Sequence, residues 1–281
     1  MENPWIVIGL SSGIVGKATA KVKAKNATFP ITVAKSDLKQ LYYLCLVRNN
    51  LVHSNGSATF AGHSICLTIS ELLIPRRLEM IANAYRYGLV LSEYDDSHYL
   101  TKVDNLTRFI TPKESGVGII GEVFRDQIYG KMAGDIRNKT IVDVGAFLGD
   151  TAVYFVRKGC KSVFAFEPND DHFELARKNL NLNEVHNVEL FKTSVGDNLK
   201  ELIQKIGEVN VLKMDCEGCE RVAIISTPSE LLMQMEQIIM EYHGDPSEVV
   251  RKLKSSGFKV RVERPWTVMR GRPIGFLVAK H

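Results

Sequence analysis

Apolar residues in the C-terminal half of the sequence fall in short runs, separated by stretches in which they recur every three or four positions. That alternation predicts strands exchanged with helices. Strands are expected at 140–144, 162–166, 188–193, 209–214 and 237–242, with helices at 150–158, 170–181, 198–206, 220–225 and 231–235. Asn169 and Asp170 stand where a helix start wants a side-chain acceptor. After Pro246 a helix runs to Lys254 and stops at Gly257; strands at 259–263 and 274–279 then form a hairpin across a loop containing Pro265, Gly271 and Pro273. Five parallel strands followed by a helix and a hairpin make an α/β protein with a Rossmann-like, seven-stranded doubly wound sheet over residues 131–281. Residues 1–130 form a smaller α+β region with strand character at 22–33, helices at 36–50 and 69–87, and short strands across 89–110. This region is assigned to capping the sheet and shaping substrate choice, with an oligomerisation surface equally compatible.

Ligands of such sheets sit at the carboxyl ends of the strands. The first strand runs into Asp143, Gly145, Ala146, Phe147, Gly149, Asp150 and Thr151, where glycines let the backbone turn sharply and approach a ligand. The second strand ends in Glu167, Pro168 and Asn169, and a carboxylate there suits ribose hydroxyls. The turn lacks the spacing of a dinucleotide fingerprint, and its acidic residues would repel a pyrophosphate. Asp143, Asp150 and Glu167 favour a ligand with hydroxyls and positive charge, which describes S-adenosylmethionine. Asp215 with Glu217, and His243, mark the ends of later strands.

Composition narrows the field. The 281 residues are 45% hydrophobic and 24% charged, with net charge +4, the balance of a soluble globular protein. No apolar run approaches the roughly 20 residues that span a bilayer, and the short Trp5 to Leu10 segment has no basic residue before it, so neither signal peptide nor anchor is expected. The 5 cysteines are odd in number and irregularly spaced, which argues for reduced thiols and a cytoplasmic location; Cys216 and Cys219 lack the further ligands of a zinc site. Gly13, Gly16 and Lys17 hint at a phosphate loop, but Ser11 and Ala18 stand at two required positions, which rejects an NTPase. Arg251, Lys252, Lys254, Lys259, Arg261, Arg264, Arg270 and Arg272 surround Trp266, either as a solvated surface or as a basic face for nucleic acid.

The segments 142–151, 166–169, 179–183, 212–220 (Leu-Lys-Met-Asp-Cys-Glu-Gly-Cys-Glu) and 241–243 (Glu-Tyr-His) together resemble the FkbM-like family of S-adenosylmethionine-dependent methyltransferases. The resemblance covers roughly the C-terminal half. It implies a class I methyltransferase fold and methylation of a hydroxyl oxygen. It further implies that Asp143, Gly145 and Gly149 border the methionine part of the cofactor, that Glu167 takes the ribose, that Asn169 neighbours the adenosine, and that Ser194 and Gly196 line the adenine. Phe147 stands where many members carry Asn.

Methyl transfer to oxygen is an in-line displacement that needs positioning and a proton acceptor. Asp215, Glu217 and His243 are the catalytic candidates, with His243 favoured as base because an ordinary imidazole titrates near neutrality. These side chains also have the composition of a divalent-cation site, but sequence cannot place them in one shell, and no metal is assigned. The expected acceptor is a hydroxyl-bearing small molecule, sugar or glycan. RNA is the alternative within the enzyme class, and a non-catalytic cofactor- or partner-binding protein is the alternative outside it.

Overall fold

The computed structural model describes residues 17–23, 28–34, 43, 46–47, 50–54, 57–68, 71, 74–269 and 271–281. Gly13 and Gly16, the Trp5 to Leu10 segment and nearly all of the expected 36–50 helix lie outside the described residues. The chain divides into two compact units, Met1–Arg125 and Asp126–His281.

In the first unit, β1 (Lys17–Lys23) and β2 (Thr28–Ala34) pair as an antiparallel hairpin, across the stretch at 22–33 where strand character was expected. Strands β3 (Leu51–Ser54), β4 (Ser57–Phe60) and β5 (Cys66–Thr68) form an antiparallel sheet. Helix α1 (Pro75–Tyr87) begins later than its apolar periodicity suggests, because Ile74 is extended and Pro75 fits the first helical turn. It ends at Gly88 in the left-handed conformation. A meander of β6 (Val90–Glu93), β7 (His98–Lys102) and β8 (Arg108–Pro112) follows, then α2 (Val117–Gly121) and a π-helical turn at Glu122–Asp126.

The second unit is a mixed α/β structure on a parallel-rich sheet. After α3 (Ile128–Ala133) come β9 (Thr140–Val144), α4 (Asp150–Arg157), β10 (Ser162–Phe166), α5 (Asp170–Leu182), β11 (Val188–Phe191), α6 (Leu199–Ile206) and β12 (Val211–Met214). Helices α7 (Glu220–Ser226) and α8 (Ser229–Leu232), strand β13 (Gln237–His243), helix α9 (Ser247–Ser255), and strands β14 (Lys259–Val262), β15 (Thr267–Met269) and β16 (Arg272–Lys280) complete it. The strand order is β11-β10-β9-β12-β13-β16-β14, with the first five parallel and β16 antiparallel to both neighbours. Among the described residues the sheet has 8 strands rather than the expected seven. The extra one is β15, formed inside the expected loop, where Thr267 pairs Ile274 and Met269 pairs Arg272. Helix α8 starts at Ser229 rather than 231, because extended Pro228 sets its entry.

Helices α4 and α5 pack together, and α6, α7 and α9 form a separate packed group. That second group shares a core with Val142 and Val144 of β9 and Leu212 and Met214 of β12. Side chains alternate across a strand, so Ile141, Asp143, Val211 and Lys213 face the opposite layer. All of them are buried. The chain reverses its direction of winding between β9 and β12, and in open sheets of this order the crevice at that reversal receives the ligand.

Candidate functional site

The turn after β9 is anchored by two backbone hydrogen bonds. Gly145 and Ala146 both donate their N–H to the Phe166 carbonyl at 3.0 Å, which ties the turn to the end of β10. Gly145 has φ +80°, and a Cβ there would lie 1.8 Å from the Asp215 carbonyl oxygen, so a side chain has no room. Phe147 and Gly149 are also left-handed, at φ 46° and 76°. Phe147 thus pays for a conformation that Asn adopts more readily.

Glu167 closes this turn. Its carboxylate is buried and accepts the Phe147 N–H at Oε2 and the Asn169 N–H at Oε1, each at 2.9 Å. Two oxygens with one protein bond apiece keep lone pairs for hydroxyl donors. The Asn169 side chain is engaged in capping α5, where it accepts the His172 N–H at 3.0 Å, and the ring of His172 meets Phe147 edge-on at 4.6 Å. Pro168 is exposed. Ser194 and Gly196 lie in a loop closed by Asn198, whose Nδ2 donates to the Ser194 carbonyl and whose Oδ1 accepts the Gly196 N–H. A Cβ on Gly196 would meet open space.

Asp143 is fully enclosed, because the β9–β12 register places it beside Lys213. Lys213 Nζ lies 2.9 Å from Asp143 Oδ1, donates to the Gly145 carbonyl at 2.8 Å and sits 5.2 Å above the Tyr129 ring. The Thr151 hydroxyl donates to Asp143 Oδ2. Burial pulls the Lys213 pKa down, but Asp143, Asp215 and Asp150 outweigh it and hold the amine above its ordinary value. Asp150 opens α4 and is buried, and its Oδ1 has no hydrogen-bond partner among the described residues. Burial pushes its pKa up to about 7, opposed by Lys213.

A carboxyl raised in the fold favours folding when protonated, and that advantage is lost as pH rises from the unfolded value of about 3.8 through about 7. Asp150→Asn is therefore expected to be more stable than wild type at pH 8, by on the order of 2 kcal/mol. The difference should vanish below pH 4. Urea unfolding across pH checks it, and a pH-independent difference would contradict the burial argument.

The third group surrounds His243 at the end of β13. Glu220 Oε1 accepts the N–H groups of Cys216 and Gly218 and lies 3.1 Å from His243 Nδ1. On the other side, His243 Nε2 lies 3.4 Å from Glu217 Oε2 and 3.5 Å from Glu241 Oε1. Contacts with Glu220 and Glu241 raise the His243 pKa to about 10 against the opposing effect of burial. His243 was expected as a neutral imidazole base; the carboxylates of Glu220 and Glu241 around it favour its protonated form instead. Burial raises the pKa of Glu241, with Asp215 adding to the rise and His243 opposing it. Asp215 accepts the Tyr129 hydroxyl at 2.7 Å. Glu217 is exposed and left-handed at φ 58°. Asp215, Glu241 and His243 each offer a donor atom within 4.8 Å of the others.

Two further features were missed from sequence. Glu220 was not singled out, although its place in an acidic segment ending β12 was a signal. Cys216 and Cys219, expected as free thiols, form a disulfide with Cα atoms 5.6 Å apart, because the turn at Glu217 and Gly218 brings them together. Cys66 and Cys160 are free. Among the described residues no helix is long and apolar enough to cross a membrane.

Comparison with known proteins adds likenesses. No family model matches the chain. A curated protein of Sulfolobus islandicus rod-shaped virus 1, "Uncharacterized protein 158B", is 32% identical over 103 residues, 33% of this chain and 54% of that one. The chain thus spans about half the length of the curated relative it matches. Among solved structures, a precorrin-6y C5,15-methyltransferase from Geobacter metallireducens superposes with TM-score 0.43 at 14% identity, covering 56% of this chain and 90% of that one. An rRNA methylase from Streptococcus thermophilus gives 0.42 at 13%, covering 55% and 93%. The methyltransferase FkbM from Methylobacillus flagellatus gives 0.40 at 13%, covering 50% and 43%. At these TM-scores nothing passes from those proteins to this chain.

Proposed function

We propose that this chain is an S-adenosylmethionine-dependent methyltransferase of FkbM-like type, transferring methyl to a hydroxyl of a small-molecule, sugar or glycan acceptor. The observation that supports it most is Glu167, a buried carboxylate at the ligand-receiving end of the sheet, held by the backbone of two strand-end loops with acceptor capacity to spare. The residues suit the cofactor: Glu167 would take ribose hydroxyls, Asp150 has a buried oxygen without a hydrogen-bond partner for an ammonium, and Gly145 keeps the turn free of side chain. When bound, the cofactor supplies an electrophilic methyl group. Asp215 and Glu217 at the end of β12 would orient the acceptor hydroxyl and receive its proton, a role that contributes about 10²–10⁴-fold in well-placed cases. His243 would hold the acidic rim in place.

Calorimetric titration with S-adenosylhomocysteine tests this reading. Micromolar binding is expected in wild type, weakened about 10–100-fold in Glu167→Ala through the loss of charge-assisted hydrogen bonds. NAD should not bind. A folded wild type that ignores S-adenosylhomocysteine would sink the assignment.

A second reading takes RNA as acceptor. It is favoured by Trp266, 61% exposed and accompanied by exposed Arg261, Arg264 and Arg272. It requires RNA affinity that falls steeply with salt.

A further inference from the structure

The geometry points to a divalent-cation site formed by Asp215, Glu241 and His243 at the carboxyl ends of β12 and β13. Three observations carry it. The donor atoms of these residues already lie within 4.8 Å of one another, so shifts of about an ångström would bring them into one coordination shell with bonds of roughly 2.0–2.2 Å. The His243 side chain is only 8% exposed, and its Nε2 makes no hydrogen bond although it points among carboxylates. Its other ring nitrogen is held at 3.1 Å by Glu220, which itself accepts two backbone N–H groups. A carboxylate on one imidazole nitrogen, with the other directed at further oxygen ligands, is the arrangement by which proteins orient a metal-binding histidine. The Tyr129 hydroxyl fixes Asp215 in the same way.

The charge balance agrees. Asp215, Glu217, Glu220 and Glu241 converge on one imidazole, and a dication among them would relieve that excess of negative charge. Two carboxylates and one imidazole form a mixed oxygen and nitrogen set of the kind first-row divalent ions take, and Mn²⁺ serves as the spectroscopic probe for it. Such an ion would position the acceptor hydroxyl and ease its proton loss. That role rests on the methyl-transfer reading, whereas the ion's binding does not.

Chelator-treated full-length protein titrated with Mn²⁺, with free ion read by electron paramagnetic resonance, tests the site. Wild type is expected to remove the free-ion signal to a single equivalent, and pulsed spectra of the bound ion should show coupling to an imidazole nitrogen. In His243→Gln and Asp215→Asn affinity should fall at least about tenfold, and in Glu220→Gln about 10–100-fold. Circular dichroism establishes that each variant is folded. A wild type that leaves the free signal unchanged, bound Mn²⁺ without nitrogen coupling, or undiminished affinity in His243→Gln would overturn the site. S-adenosylhomocysteine titrations on the same samples separate the two readings: cofactor binding without Mn²⁺ binding removes the cation site alone, and the reverse removes the cofactor assignment alone.

Discussion

Lys213→Met is expected to cost about 3–5 kcal/mol of unfolding free energy, the range for removing one partner of a buried ion pair. The ammonium faces a fully buried Asp143 and also donates to the Gly145 carbonyl, so its loss strands a charge and frees the ligand turn together. Methionine nearly conserves the side-chain volume, which leaves electrostatics as the main change. The double variant Lys213→Met, Asp143→Leu removes both charges and is expected to regain most of the loss, because an apolar pair of similar volume often matches a buried ion pair. Urea denaturation of the four proteins in this cycle gives the coupling directly. A single-variant cost below about 1 kcal/mol would show that the pair does not pin the turn.

That ion pair also shows where the sequence was legible and where it was not. Alternating apolar runs and helical periods announced β9 to β13, and Gly145 and Glu167 stood out because strand-end glycines and acids are local signals. The Asp143–Lys213 pair is not local. It depends on β12 crossing over to lie beside β9, in a register that sets Lys213 against Asp143. A hint was present in both strands, since a lone charge within an otherwise apolar strand needs a buried partner of opposite sign. The surroundings of His243 were illegible for the same reason: only the fold brings Glu220 to its Nδ1, where it favours the protonated ring. Strand β15 escaped notice because Pro265, Gly271 and Pro273 mask a short strand that can only pair at the sheet edge.

Gly145→Ala is expected to lose both stability and ligand binding, whereas Gly149→Ala should be mild, although both glycines are left-handed. At Gly149 (φ +76°) the nearest atom to an added Cβ is the Ala176 carbonyl oxygen at 3.4 Å, so the cost is mainly conformational, about 1–2 kcal/mol. At Gly145 (φ +80°) the same conformational cost is joined by contacts of 1.8 Å and 2.7 Å with the Asp215 carbonyl oxygen and carbon, which are backbone atoms that cannot rotate away. Either β9 or the segment after β12 must move, adding about 1–3 kcal/mol by comparison with overpacked cores. Asp215 donates its own N–H to Val144 at 2.9 Å and accepts the Tyr129 hydroxyl, so displacing its carbonyl also disturbs its carboxylate. Gly145→Ala should therefore weaken S-adenosylhomocysteine binding and Mn²⁺ binding together, while Gly149→Ala leaves the Mn²⁺ titration unchanged. Calorimetry and urea unfolding on the two variants make the comparison. Equal effects at the two positions would mean that positive φ, not the close approach to Asp215, is what requires glycine in this turn.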